Sequence, residues 1–152
     1  MAVEDVRKYF SDKGLDYEII EKEESTATVE LAAKAIGVEP AMIAKTMAFK
    51  LKDSDIVVVS KGDAKVDNKK FKAQFATKAK MMSAEEVLES TGHPVGGVCP
   101  FGLKTSMQVY LDVSLKQFEY VYPAAGSPNS AVRITPDELM EVTDGQWVDV
   151  CK

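Results

Sequence analysis

Thr91-Gly92-His93-Pro94-Val95-Gly96-Gly97-Val98-Cys99-Pro100-Phe101-Gly102 places four glycines and two prolines within twelve residues. Glycine opens dihedrals closed to other residues and leaves no Cβ in the way of a neighbour, while each proline fixes its own φ and restrains the residue before it. The segment therefore reads as a stiff, open loop able to bring peptide N–H groups close to another molecule. Taken alone, such a segment is more often a long surface loop that needs unusual turns. Its meaning depends on what flanks it.

On the N-terminal side, Ser83 and Glu86 form a capping-box spacing that predicts a helix ending at Thr91-Gly92, so the loop starts from a helix C-terminus. On the other side, Met107–Leu111, Glu119–Tyr122 and Val132–Ile134 read as strands, Thr135-Pro136-Asp137-Glu138 as a helix start, and Trp147–Val150 as a last strand. Further upstream, Val3, Val6 and Phe10 share a helical face that ends at Gly14, and Leu15–Ile20 predicts a short strand. Thr28 caps a helix through Leu31, Ala32, Ala35 and Ile36 that stops at Gly37, and Pro40 begins another through Met42 and Ile43. Thr46–Leu51 and Ile56–Ser60, either side of Lys52-Asp53-Ser54-Asp55, predict a hairpin. Asp67 caps a lysine-rich helix that runs to Phe75. About six or seven short strands among about five short helices predict one α/β (α+β) domain over residues 1–152, with a curled or barrel-like sheet.

A chain of 152 residues buries enough apolar surface to fold without a metal or disulfide. Its apolar share of 45% and charged share of 28% are those of an ordinary globular protein. Met1-Ala2-Val3-Glu4-Asp5-Val6 lacks a basic segment followed by an apolar run, and nowhere do about 18 apolar residues follow one another. A cytoplasmic protein with no membrane partner is expected. Cys99 and Cys151 are too few for a disulfide framework, and with a single histidine they argue against a zinc site, so no metal or cofactor is expected.

The net charge of −5 argues, taken whole, against a nucleic-acid partner such as DNA. Its distribution says more. Residues 61–80 hold Lys61, Lys65, Lys69, Lys70, Lys72, Lys78 and Lys80 against Asp63 and Asp67, a basic island of +5 in a body of −10. Such an island steers a polyanion to one face, or is simply a solvated lysine-rich helix. Phe71 and Phe75 fall among the lysines at i, i+4, which is core spacing rather than a stacking ladder.

Few side chains offer chemistry. Cys99 as a nucleophile needs a base, and only His93 is at hand; a small buried cysteine, with His93 capping helix carbonyls, is the commoner arrangement. Nothing matches a phosphate loop, and the glycine cluster does not follow a predicted strand. Glu23-Glu24 and Glu85-Glu86 read as solvated surface. Lys45 stands apart: it lies between apolar Met42-Ile43-Ala44 and apolar Thr46-Met47-Ala48-Phe49, where a cation must snorkel to water or meet an anionic partner.

Ala44-Lys45-Thr46, Gly62-Asp63 with Val66-Asp67 and Lys69-Lys70-Phe71, the Thr91–Gly102 loop, Val109-Tyr110-Leu111-Asp112, Ala125-Gly126 and Pro136 with Leu139 occur in this order along the whole chain. Together they resemble the YbaK family, the free-standing relatives of the editing domain of prolyl-tRNA synthetase, also called ProX-like aminoacyl-tRNA deacylases. The resemblance implies a single α/β domain on a barrel-like sheet with helices around it. It implies hydrolysis of the ester joining a wrong amino acid, typically cysteine or alanine, to the terminal adenosine of tRNA for proline. It also implies roles. Lys45 matches the essential lysine that holds a phosphate or ester oxygen, and Gly96 and Gly97 match the loop that approaches the aminoacyl group and its carbonyl oxygen. Thr46, Gly62, Asp63, His93, Val98, Cys99, Pro100, Phe101, Gly102, Gly126 and Ser127 fall at substrate-binding positions. Lys61, Lys65, Lys69, Lys70 and Lys72 become candidate contacts for tRNA phosphates, with prolyl-tRNA synthetase a candidate partner. The family uses no dedicated side-chain nucleophile, relying on substrate groups or a positioned water.

The chain departs from the family pattern before the second helix, where many relatives carry His-x-x-x-x-Thr. Glu23 or Glu24 stands there, which implies a different amino-acid selectivity. Thr46 resembles the cysteine-removing branch, since alanine-removing relatives often have asparagine after the lysine. Two other functions remain open to the sequence: a non-catalytic module that binds an aminoacyl end or amino acid, and a thiol hydrolase built on Cys99 and His93.

Overall fold

Four consecutive branched residues, Ile56 to Val59, are fully buried, which requires cover on both faces of the strand that holds them. They belong to β3 (Asp55–Lys61), at the centre of a five-stranded mixed sheet in the computed structural model, which describes residues 2–152. β3 pairs antiparallel with β2 (Ile43–Lys50) and parallel with β4 (Gln108–Asp112). Outside them, β5 (Tyr122–Pro123) runs parallel to β2 and β7 (Gln146–Val148) parallel to β4. A second sheet pairs β1 (Ile19–Glu21) with β6 (Ser130–Val132), and an Ala124↔Ala131 bridge joins it to the chain just past β5. With helices α1 (Ala2–Asp12), α2 (Val29–Ile36), α3 (Asn68–Phe75), α4 (Ala84–Thr91) and α5 (Pro136–Thr143), this is the mixed α/β domain of short elements that the sequence predicts.

The side chains of β3 divide the interior by their period of two. Val57 and Val59 pack with Val6 and Phe10 of α1, Phe101, Leu111 and Leu139. Ile56 and Val58 pack on the opposite face with Phe49, Phe71 of α3 and Val150. The Phe71 and Phe75 rings pack tilted at 53°, with centroids 4.7 Å apart along that helix, and Phe71 is fully buried. Asp112 is buried too, and its carboxylate accepts from the N–H groups of Ser114 (3.0 Å) and Val150 (2.8 Å). It thereby fastens the C-terminal segment behind β2 and β3.

The helix starts sit on their caps. Thr28 accepts from Leu31 N–H, Asp67 from Lys69 and Lys70, and both Ser83–Glu86 and Thr135–Glu138 are closed capping boxes. Gly37 and Gly92 end α2 and α4 in the left-handed conformation. The stretch from Pro40 differs from expectation. It makes one 3-10 turn, Pro40–Met42, and the chain is already extended at Ile43. Lys45 is consequently the third residue of β2, paired across from Ser60, and not a helix–strand junction.

Candidate active site

β2 is central to the sheet only over part of its length. Its ladder with β5 covers Ile43 and Ala44 alone, and from Lys45 to Ala48 its outer edge borders a cavity of ≈ 300 Å³. The other walls are the Thr26–Val29 approach to α2, the Met81-Met82 pair, Val95, Gly96 and Val98 of the glycine-rich loop, and Tyr122, Ala124, Ser130 and Ala131 around the sheet junction. Most of this lining is apolar. Met81 and Val95 are each 61% exposed and mark the mouth.

Lys45 is half-buried on this wall and its Nζ donates to the carbonyl of Ala64. The bond anchors the ammonium to the turn that follows β3, the start of the lysine-rich segment. Gly62 makes that approach sterically feasible. A Cβ there would run into the carbonyl of Pro40 and lie 2.7 Å from Val29 Cγ1, so only glycine lets the turn nestle under α2. Asp63 lies outside on the surface, 3.6 Å from Lys61 Nζ. Gly62 and Asp63 thus shape the support of Lys45 and do not line the cavity.

The glycine-rich loop reaches the cavity through Val95, Gly96 and Val98, and the Gly126 loop braces it from behind. Gly97 N–H donates to Pro94 O at 2.9 Å, closing a tight turn, and Gly126 N–H donates to Gly97 O at 3.0 Å. Gly96 has φ +95 and faces Ala27, and a Cβ on Gly97 would lie 2.5 Å from Ser127 N. The N–H of Gly97 is therefore committed within the loop and is not a donor to a ligand. Ser127 Oγ bonds Asn129 Oδ1 and Ser130 Oγ, each at 2.7 Å, and stiffens the second loop.

His93, Cys99, Pro100 and Phe101 turn inward, beneath the loop. His93 is fully buried and its Nε2 donates to Phe101 O at 2.7 Å. That bond leaves a proton on the nitrogen nearest Cys99 Sγ, 3.6 Å away, so the ring cannot take the thiol proton. Burial pushes the Cys99 thiol up to about 12 and holds the His93 imidazole below its ordinary value. A protonated thiol facing a ring nitrogen that already carries hydrogen is core packing, not a nucleophile and base. Gly102, with φ +61, packs its backbone on the Asp5 carbonyl of α1.

Of the basic residues, Lys65, Lys69 and Lys72 are exposed, and Lys61 is half-buried at the end of β3. Lys70 is held at the surface by Asp149 and the Cys151 carbonyl, both at 3.0 Å. The structure thus brings Lys45, Thr46, Gly96 and Val98 to one cavity and leaves the other predicted residues supporting or flanking it. Sequence reasoning missed Met81, Met82, Thr26 and Ala27.

A half-buried lysine tethered at the wall of a mostly apolar cavity, with Gly96 and Val98 of the glycine-rich loop in the same lining, describes a domain with a pocket for a small chemical group. A family model described as the aminoacyl-tRNA editing domain matches residues 23–142, and the chain belongs to that family. It is 51% identical to YwhH of Bacillus subtilis, over 100% of this chain and 98% of YwhH. It is 27% identical to EbsC of Enterococcus faecalis, named as a candidate Cys-tRNA(Pro)/Cys-tRNA(Cys) deacylase, over 84% of this chain and 79% of EbsC. A solved structure described as a candidate trans-editing enzyme for prolyl tRNA synthetase superposes with TM-score 0.92 at 30% identity, covering 99% of this chain and 97% of that one. Among the described residues, no helix is long and apolar enough to cross a membrane.

Proposed function

We propose that the protein is a trans-editing hydrolase that deacylates mischarged aminoacyl-tRNA, cleaving the ester between a wrong amino acid and the terminal adenosine. The observation that carries this reading is the Lys45 ammonium, tethered through Ala64 at the side of a cavity large enough for an aminoacyl group and otherwise mostly apolar. In that low-dielectric setting a fixed cation stabilises an ester or phosphate oxygen far better than it would in water. The protonated Cys99 leaves the attacking group to a positioned water or to the substrate itself, such as a ribose hydroxyl or a cysteine thiol. The exposed Lys65, Lys69 and Lys72 stand on the segment that carries Ala64, so tRNA phosphates would be drawn to the side from which Lys45 is held.

The cargo is cysteine or alanine on tRNA for proline, a reading supported by the EbsC and trans-editing relatives and by Thr46 after the lysine. The protein acts in the cytoplasm, with prolyl-tRNA synthetase as its working partner. The test is a deacylation screen with tRNA for proline charged with alanine, cysteine or serine. Rapid release of one of them supports the proposal. Saturable binding with no release of any would make the protein an aminoacyl-end binding module instead.

A further inference from the structure

The outer edge of β2 is interrupted at one residue. Its ladder with β5 stops at Ala44↔Pro123. Pairing resumes where Met82 N–H donates to Ala48 O at 3.0 Å and Lys50 N–H donates to Lys80 O at 2.9 Å. The N–H and C=O of one strand residue point to one side and those of the next to the other, so Ala44, Thr46 and Ala48 share this edge. Thr46 sits between the two paired residues with no strand opposite, and it lines the cavity. Its Oγ1 is buried and has no hydrogen-bond partner among the described residues. That oxygen is closed off from the cavity; what the gap leaves open is the main-chain N–H and C=O of Thr46, and because main-chain groups seldom go without partners, the gap marks a place made to bond what enters.

An N–H and a C=O offered together by one residue are matched, in an antiparallel pair, by the C=O and N–H of a single residue opposite. An α-aminoacyl ester carries the same two groups, its amine nitrogen and its acyl oxygen. We infer that the Thr46 edge binds the aminoacyl group as a strand one residue long: Thr46 C=O accepts from the α-ammonium, and Thr46 N–H donates to the acyl oxygen. This assignment rests on the aminoacyl-ester reading above and adds what the site recognises, the free α-amine. It also supplies a carbonyl donor where Gly97 has none to offer, its N–H being held by Pro94. Met82, Val87 and Val98 are left to surround the amino-acid side chain. Recognition of main-chain groups by a free strand edge is the way extended peptides add to sheets, here reduced to one residue.

The test compares an aminoacyl-tRNA with the same tRNA carrying the corresponding acyl group without its α-amine, each rate divided by that ester's uncatalysed hydrolysis. Loss of a charge-assisted hydrogen bond predicts a fall in normalised kcat/KM of roughly tenfold to a hundredfold for the des-amino ester. Equal normalised values would overturn the assignment while leaving the deacylase reading standing. A second measurement needs no turnover: an unreactive 3′-aminoacylamido adenosine is titrated into nitrogen-15-labelled protein. The Thr46 amide proton should move downfield, and the des-amino analogue should bind about tenfold more weakly. A Thr46 amide that stays in place while that of Gly96 moves would put the carbonyl on the glycine loop and overturn the assignment. Failure to cleave or bind any aminoacyl ester would strike the deacylase reading itself, and this inference with it.

Discussion

Gly126 donates its N–H to the carbonyl of Gly97 at 3.0 Å, which ties together two loops about thirty residues apart in sequence and braces the cavity-lining Gly96 from behind. The contact exists because Gly97 carries no Cβ: one there would lie 2.5 Å from Ser127 N and 2.8 Å from Gly126 C, and main-chain atoms there have no easy way to yield. Gly97→Ala is therefore expected to lower stability by about 1–3 kcal/mol, as overpacking does, and to cut deacylation more than tenfold by separating the loops. Urea unfolding and a deacylation assay on the same preparation check this. An unchanged unfolding midpoint would mean that the loops are not packed as described.

His93 predicts a pH dependence of stability. Burial lowers its folded-state pKa below the ordinary value of 6.5. Below pH 6.5 the unfolded chain takes up a proton that the folded ring declines, so stability is full above 6.5 and falls as the pH drops through that value, by at most about 1.4 kcal/mol per pH unit. His93→Leu should be less stable than the parent at pH 7.5, having lost the bond to Phe101, yet should lack the decline between pH 6.5 and 5.5. Unfolding midpoints at those three values decide it.

Cys99 should be dispensable for catalysis. Its buried thiol is pushed up to about 12, so Cys99→Ala is expected to keep the parent kcat while losing about 1–2 kcal/mol of stability from the small void. A kcat that collapses in a folded Cys99→Ala protein would restore the thiol-hydrolase reading.

The exposed lysines predict a salt effect. Replacing Lys65, Lys69 and Lys72 together by glutamine should weaken tRNA binding and reduce the slope of log affinity against log salt by roughly 0.7–0.9 for each phosphate that a lysine no longer neutralises. The affinity for an aminoacyl adenosine, which lacks the tRNA phosphates, should not change. A slope equal to that of the parent would place the tRNA elsewhere.

Local chemistry makes much of the fold legible. Thr28, Asp67, Ser83 with Glu86, and Thr135 with Glu138 cap the helices that their spacing predicts, because a cap is decided within four residues. The β2–β3 hairpin is likewise a local pairing. Boundaries set by distant partners are harder to read. β2 begins at Ile43 because β5, some eighty residues away, pairs with Ile43 and Ala44, and nothing near Pro40 announces that. The same holds for the site. Lys45 stands out as a cation among apolar neighbours, and a buried Cys99 is the arrangement the sequence favours, but the Met81-Met82 wall and the open edge at Thr46 arise from segments that meet only in three dimensions.

The most direct measurement is deacylation of mischarged tRNA for proline by Lys45→Ala, with its unfolding curve taken alongside. Lys45 is half-buried on the cavity wall, bonded to Ala64, and its loss should abolish turnover, by at least about a hundredfold if one preorganised charge contributes a few kcal/mol, in a protein that still unfolds cooperatively. Parent-like turnover by folded Lys45→Ala would contradict the account.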